Sequence, residues 1–377
     1  MPTNILLQND SRLNSVANFL ALSAPAYENI YLLSVFEQHN SVTLNLAKLS
    51  HGLGFSDSDS QSFDLVTVDD DARFKSLANC IESYMSHLTG NIKFGYYLTI
   101  DDSNSYYFTI ARQMRISGAR IGVVAHAAIM ASPHFTIAHD YFTSNRYNHK
   151  QFGRLHKSVN VYRAGLPEKV LELDYERVIN DKYENADRVA IVALFGTHGS
   201  SAEHDTCFNI LNFQLALASE KAHKIPNAQY RLKFVYRPHP YSSEDLATSL
   251  GVLSATANPF PVIIYSHALS ELLKVADLAL FGHASSAIYD CIIGGVPIFQ
   301  SPLQRPGEYH GFTSLIENSF AELATAALND RLMLRSLVSK QYKFLVRNTL
   351  VGKLSTMSIC ATLRHNLRNP LEVVRQR

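Results

Sequence analysis

Arg237-Pro238-His239-Pro240 and Gly282-His283-Ala284-Ser285-Ser286 place a guanidinium, two imidazoles and two hydroxyls directly after short apolar runs, residues 232–236 and 278–281. These are groups that recognise phosphate. Arginine and histidinium give charge-assisted hydrogen bonds, and serines that open a helix add hydroxyls to unpaired N–H groups and a favourable dipole. In an open parallel sheet, ligands collect outside the carboxyl ends of the strands, where both motifs would fall. A third segment, Phe195-Gly196-Thr197-His198-Gly199-Ser200-Ser201, ends another apolar run with small and polar residues that allow a ligand close to the backbone. It has neither a Gly-Lys-Ser/Thr ending nor a Gly-x-Gly-x-x-Gly fingerprint, which argues against ATP hydrolysis and nicotinamide chemistry. Each segment also has a purely structural use. Prolines can fix His239 in a loop, Ser285 or Ser286 can cap a helix, and Thr197 to Ser200 can form a simple turn.

A phosphate site that serves a transfer reaction needs a base elsewhere, and two candidates follow apolar runs in the first half of the chain. Asp101-Asp102 follows residues 92–100, and His126 follows residues 120–125. An aspartate with its ordinary pKa near ~4 must be shifted upward to act as an efficient base, whereas an imidazole near ~6.5 need not be. Adjacent carboxylates supply such a shift. The acidic pair also suits an Asx turn in front of a helix beginning near Ser105. Glu308 is placed to meet a ribose or base below the last strand. Asp57-Ser58-Asp59 has the letters of a metal clamp but no strand before it, and the 16 histidines show no ligand spacing, so no metal is expected.

These groups are positioned by α/β elements. From residue 188 onward, apolar runs at 189–195, 232–236, 262–265, 278–281 and 296–299 alternate with stretches of helical period at 242–250, 269–276 and 286–293. Alternation of this kind predicts a parallel sheet. The first half is less regular, with strands expected at 5–8, 30–36, 92–100, 120–125, 135–142 and 159–165 and helices at 72–88, 105–116 and 148–157. The Ser-Asp alternation of 56–61 reads as an exposed loop. At 377 residues two domains are expected: 1–166, a linker at 167–187, 188–353, and a helical tail at 354–377.

Composition narrows the function classes. A net charge of +1 and scattered Lys and Arg make nucleic acid an unexpected partner. Cys80, Cys207, Cys291 and Cys360 form no Cys-x-x-Cys pair, which fits a reducing compartment without disulfides. The N-terminus has no secretory pattern, and residues 121–131 are too short to span a bilayer, so any membrane contact would be peripheral. Nothing in the composition sets an oligomeric state.

His126, then Tyr162-Arg163-Ala164-Gly165-Leu166-Pro167, then Arg237-Pro238-His239-Pro240, then Ser285-Ser286 with Asp290 and Gly295-Val296-Pro297 stand in an order that resembles bacterial GT-B glycosyltransferases using cytidine-activated donors. That group includes sialyltransferases, Kdo transferases and CDP-glycerol glycerophosphotransferases of surface polysaccharide assembly. The resemblance spans residues 92–302. It implies two Rossmann-like domains with parallel sheets facing a cleft, an acceptor-binding first domain and a nucleotide-sugar-binding second one. It further implies that His239 contacts the donor phosphate, with Arg237, Pro240, His283, Ser285 and Ser286 around it. For the base it offers both Asp101-Asp102, with Ser103 where the family has glycine, and His126, with Ala127 where a related group has glycine. The implied partners are a CMP-linked or similar nucleotide sugar, which is a substrate so that no cofactor is expected, and a glycan or glycolipid acceptor. The implied setting is the cytoplasm or the inner face of the cytoplasmic membrane. A CDP-glycerol-type transferase, a sugar-nucleotide epimerase and a catalytically silent binding protein are the rival readings.

Overall fold

A computed structural model describes residues 3–23, 28–38, 40–49, 55–65, 69–100, 105–125, 137–155, 157–169, 189–195, 232–237, 262–265, 267–281, 287–300, 331–349 and 351–368. In chain order the elements begin β1 (Thr3–Gln8), a 3-10 turn (Ser11–Leu13), α1 (Asn14–Ser23), β2 (Glu28–Gln38), β3 (Ser41–Leu49), β4 (Phe55–Asp64) and α2 (Asp70–Asn91). They continue β5 (Phe94–Thr99), α3 (Ser105–Ile116), β6 (Arg120–Val124), β7 (Asp140–Thr143), α4 (Arg146–Leu155) and β8 (Asn160–Arg163). Next come β9 (Ala190–Phe195), β10 (Leu232–Arg237), β11 (Val262–Ile264), α5 (Leu269–Val275), β12 (Leu278–Phe281), α6 (Ala287–Ile293) and β13 (Ile298–Gln300). Two helices follow, α7 (Arg331–Asn348) and α8 (Lys353–Arg368). The chain divides into two compact units, Met1–His126 with Met130–Val170 and Asn348–Arg377, and Ala127–Ile129 with Leu171–Arg347.

The first unit is built on a sheet of order β4-β3-β2-β1-β5-β6-β7-β8, parallel from β2 to β8. Its central strands are apolar on both faces because helices cover both. Leu6 and Tyr97 pack with Ile81, Tyr84 and Met85 of α2 and Met114 of α3. Ile5, Leu7, Tyr96 and Leu98 pack with Val16 and Leu20 of α1 and Ile359 and Leu363 of α8. This double burial is what makes a parallel strand read as a continuous apolar run. Of the segment expected as a helical tail, 354–377, the part to Arg368 is helix α8, which packs on this sheet, and the rest lies outside the described residues.

Residues 56–61 are not a loop. They belong to β4, which pairs antiparallel with β3, itself antiparallel to β2. The β4 side chains from Asp59 to Gln61 are exposed, so an alternation of small polar residues costs nothing in burial while the backbone ladder is supplied by β3. Thr43 and Ser62 link their hydroxyls across it at 2.8 Å. Of the strand expected at 135–142, residues 137–139 are not strand and Asp140–Phe142 belongs to β7, while 135 and 136 lie outside the described residues.

At the amino edge of this sheet a polar network is buried. Asp140, fully buried, accepts hydrogen bonds from Arg120 Nε (2.5 Å) and Nη2 (2.7 Å), Tyr96 Oη (2.6 Å), Asn160 Nδ2 (3.1 Å) and Asn366 Nδ2 (3.0 Å). Four elements and α8 are thus tied to one carboxylate. Gly122 leaves room for it: a Cβ there would lie 2.5 Å from Tyr96 Oη. Burial, then the charges of Arg115 and Arg120, push the neighbouring His139 down to about 4, and its Nδ1 accepts the Ile121 N–H at 3.0 Å.

The second unit has a wholly parallel sheet of order β11-β10-β9-β12-β13 among the described residues. Asp277 Oδ2 takes the Ile191 N–H at its amino edge (2.8 Å), and the side-chain amide of Gln341 on α7 brackets the Ile298 backbone of β13, its Oε1 accepting the N–H at 2.9 Å and its Nε2 donating to the carbonyl at 3.0 Å. The Gly294-Gly295 pair ends α6 as the sequence leads one to expect: Gly295 adopts φ 71°, and Val296 N–H returns to Cys291 O at 2.8 Å.

Candidate functional site

In the second sheet the three central strands end in register. Arg237 is paired with Phe195, and Phe195 with Phe281. The two phenylalanine rings stack with centroids 4.5 Å apart and planes 9° from parallel. Beside them the Arg237 Nε is buried and has no hydrogen-bond partner. A buried guanidinium N–H without an acceptor is costly to the fold. From these ends depart the segments carrying Thr197, His198, Gly199 and Ser200, then His239 and Pro240, then His283, Ser285 and Ser286. All of those residues, and Glu308, lie outside the described residues. The sequence therefore located the strand ends correctly, and of its candidates Arg237 is the one whose geometry is on view. Asp290, on α6, lines a cavity of about 370 Å³ between α5 and α6 with Leu269, Ser270, Leu273, Lys274, Ile293 and Gly294.

In the first unit, Asp101-Asp102 follow the carboxyl end of β5 and His126 follows that of β6, adjacent strands of the sheet. These three residues too lie outside the described ones. What the structure adds is Gln8, which the sequence reading passed over. Gln8 ends β1 and is 3% exposed. Its Oε1 accepts from Thr99 Oγ1 (2.5 Å) and the Ile100 N–H (3.1 Å), immediately before Asp101. Its Nε2 is buried and unpartnered. The available signal was a carboxamide ending an otherwise apolar strand, Ile5-Leu6-Leu7.

Further along the same edge, β7 runs into α4 through buried Thr143, Ser144 and Asn145. Asn145 Oδ1 caps the helix by accepting the Asn148 N–H (2.9 Å), and Asn148 Nδ2 donates to Ser144 Oγ (3.0 Å). His149 Nδ1, in the first turn of α4, is buried without a hydrogen-bond partner, and burial followed by the Arg163 charge lowers its pKa. Among the described residues no helix is long and apolar enough to cross a membrane.

No protein-family model and no curated protein matches the sequence. Solved structures do match in fold. An α,α-trehalose-phosphate synthase (UDP-forming) from Burkholderia vietnamiensis is 10% identical, covers 98% of each chain and superposes with a TM-score of 0.59. A UDP co-structure of MnaA from S. aureus gives 0.56 at 9% identity over 98% of this chain and 97% of that one. The UDP-GlcNAc 2-epimerase from Neisseria meningitidis bound to UDP-GlcNAc gives 0.50 at 12% identity over 92% of this chain and 100% of that one. The fold is that of the GT-B proteins, mixed α/β with a mostly parallel sheet in the first unit and a parallel one in the second.

Proposed function

We propose that this chain is a glycosyltransferase that holds a nucleotide-activated sugar at the carboxyl edge of its second sheet and takes its acceptor on the first unit. The observation that carries this reading is the unanswered Arg237 Nε in line with the stacked ends of β9 and β12. In the transfer, the acceptor oxygen attacks the anomeric carbon, the bond from that carbon to the phosphate oxygen breaks, and the acceptor proton passes to Asp101, Asp102 or His126. Arg237, His239 and the serines before α6 would stabilise the charge that gathers on the departing phosphate, the role in which preorganised donors act most strongly. No metal is assigned a part.

The cytidine nucleotide implied by the motif order is not supported by the fold neighbours, which are named for UDP. The donor is accordingly stated as a nucleotide sugar, to be identified by calorimetric titration with UDP, CDP, CMP and GDP. One of the four is expected to bind, and Arg237→Met to weaken it. Failure of all four removes the reading.

A sugar-nucleotide 2-epimerase is the second reading, favoured by the fold neighbours of that name. Release of free nucleotide only when acceptor is added supports transfer. Exchange of a sugar C–H for solvent deuterium without acceptor supports epimerisation. Among Asp101→Asn, Asp102→Asn and His126→Ala, the base is the one that loses transfer by ~10²- to 10⁴-fold while nucleotide affinity is kept.

A further inference from the structure

Between Asp140 and Glu168 the chain contains no acidic residue, while it contains Arg146, Lys150, Arg154, Lys157 and Arg163. Three of these, Arg146, Lys150 and Arg154, recur at four-residue steps on α4 and are exposed. At a rise of 1.5 Å per residue, that is a cationic row with steps of about 6 Å along one face of the helix. Lys157, beyond the helix end, is exposed as well. The opposite side of α4 is anchored inward, with Phe152 stacked on Tyr141 at 3.8 Å between centroids and Asn148 buried.

This row is unfavourable for the helix that carries it. Like charges at i and i+4 repel, and a cation in the first helical turn opposes the dipole. Among the described residues none of Arg146, Lys150, Arg154 and Lys157 has an ion pair or other electrostatic partner, and Asp140, the nearest acid before them in the chain, is committed to Arg120. Nothing among the described residues therefore accounts for the row. An anionic partner does.

We infer that the exposed face of α4 is a docking track for a linear polyanionic glycan, a chain bearing repeated carboxylate or phosphate groups. A line of cations suits successive anions of an extended polymer. The described side chains of α4 and β8 include no exposed large apolar residue that would wedge into a bilayer. The row begins where β7 and β8 present their carboxyl ends, so a polymer lying on it would enter the edge assigned above to the acceptor. In purpose, the inference rests on the transferase reading and names its acceptor class. Binding itself is measured without turnover, so the two can fail separately.

The test measures binding of the full-length protein to polygalacturonate, neutral dextran, single-stranded oligo-dT and phosphatidylglycerol vesicles over a range of salt. The expected result is binding to polygalacturonate and not to dextran, with the logarithm of the affinity falling linearly as the logarithm of salt rises. The triple variant R146Q/K150Q/R154Q should bind at least about tenfold more weakly at low salt, with a shallower salt slope by about 2 to 3. Its nucleotide binding should be unchanged and its thermal midpoint equal to or above that of the parent, because the removed charges repel one another. Equal binding by parent and variant, no binding to polygalacturonate, tighter binding to oligo-dT or vesicles, or a lowered midpoint in the variant would each overturn the inference.

Discussion

The two edges of the first sheet treat their buried polar groups in opposite ways. At the amino edge, Asp140 receives five hydrogen-bond donors from four residues. At the carboxyl edge, Gln8 Nε2 and His149 Nδ1 are buried with none. The second sheet repeats the contrast, with Asp277 answered at one edge and the Arg237 Nε unanswered at the other. In the two amino-edge networks the partners come from the chain. Where the segments carrying the candidate chemistry depart, these buried atoms have no hydrogen-bond partner, at a cost in stability.

The sharpest way to break this comparison is at Asp140. Asp140→Ala strands the Arg120 guanidinium in a buried site, and the expected loss is about 3 to 5 kcal/mol in urea unfolding. A loss below about 1 kcal/mol would mean the amino-edge network is not what ties α8 to the sheet. At the opposite pole, Arg237→Met should leave unfolding stability equal to or above that of the parent, since no hydrogen bond of its Nε is given up and an unsatisfied buried donor is removed. Nucleotide binding should weaken by about 1.5 to 3 kcal/mol, the usual worth of a charged hydrogen bond. The reverse pattern, lost stability with intact binding, would turn Arg237 into a structural residue.

Gln8 sits between these cases, because one end of its amide is anchored and the other is not. Gln8→Leu removes the Oε1 acceptor that Thr99 Oγ1 and the Ile100 N–H share and should cost about 1 to 2 kcal/mol of stability. Transfer should fall by more than that stability loss explains, whereas nucleotide affinity in the second unit should stay the same. The mildest test is by pH. His139, held down to about 4 in the fold against 6.5 when unfolded, leaves the unfolded chain with more bound protons between those values. Stability contributed by the neutral ring is thus full above pH 6.5 and declines as pH falls toward 4. His139→Gln should flatten that part of the stability profile, and an unchanged slope would assign the acid sensitivity elsewhere.

Much of the architecture was legible because burial writes itself into local pattern. Leu278 to Phe281 is strand from end to end as the apolar run predicts, and α3 occupies the span from Ser105 to Ile116 that its helical period marks. A strand covered on both faces has no polar positions to confuse the reading, so β1, β5, β9 and β12 were all visible. The Arg237 strand end followed from the same logic.

What the sequence by itself determined, then, is the alternation of apolar strands and helices and the positions where that alternation opens onto polar residues, since both depend on neighbours a few residues apart. Only the tertiary structure decided the rest. It made the Ser-Asp alternation of 56–61 a strand, because the hydrogen bonds came from β3 rather than from any apolar period. It set Gln8 against Thr99 and Ile100, 91 and 92 residues away, and brought Asn366 to Asp140 across 226 residues. Such pairings depend on complementary polar groups meeting in three dimensions, and no local periodicity records which distant partner will be there.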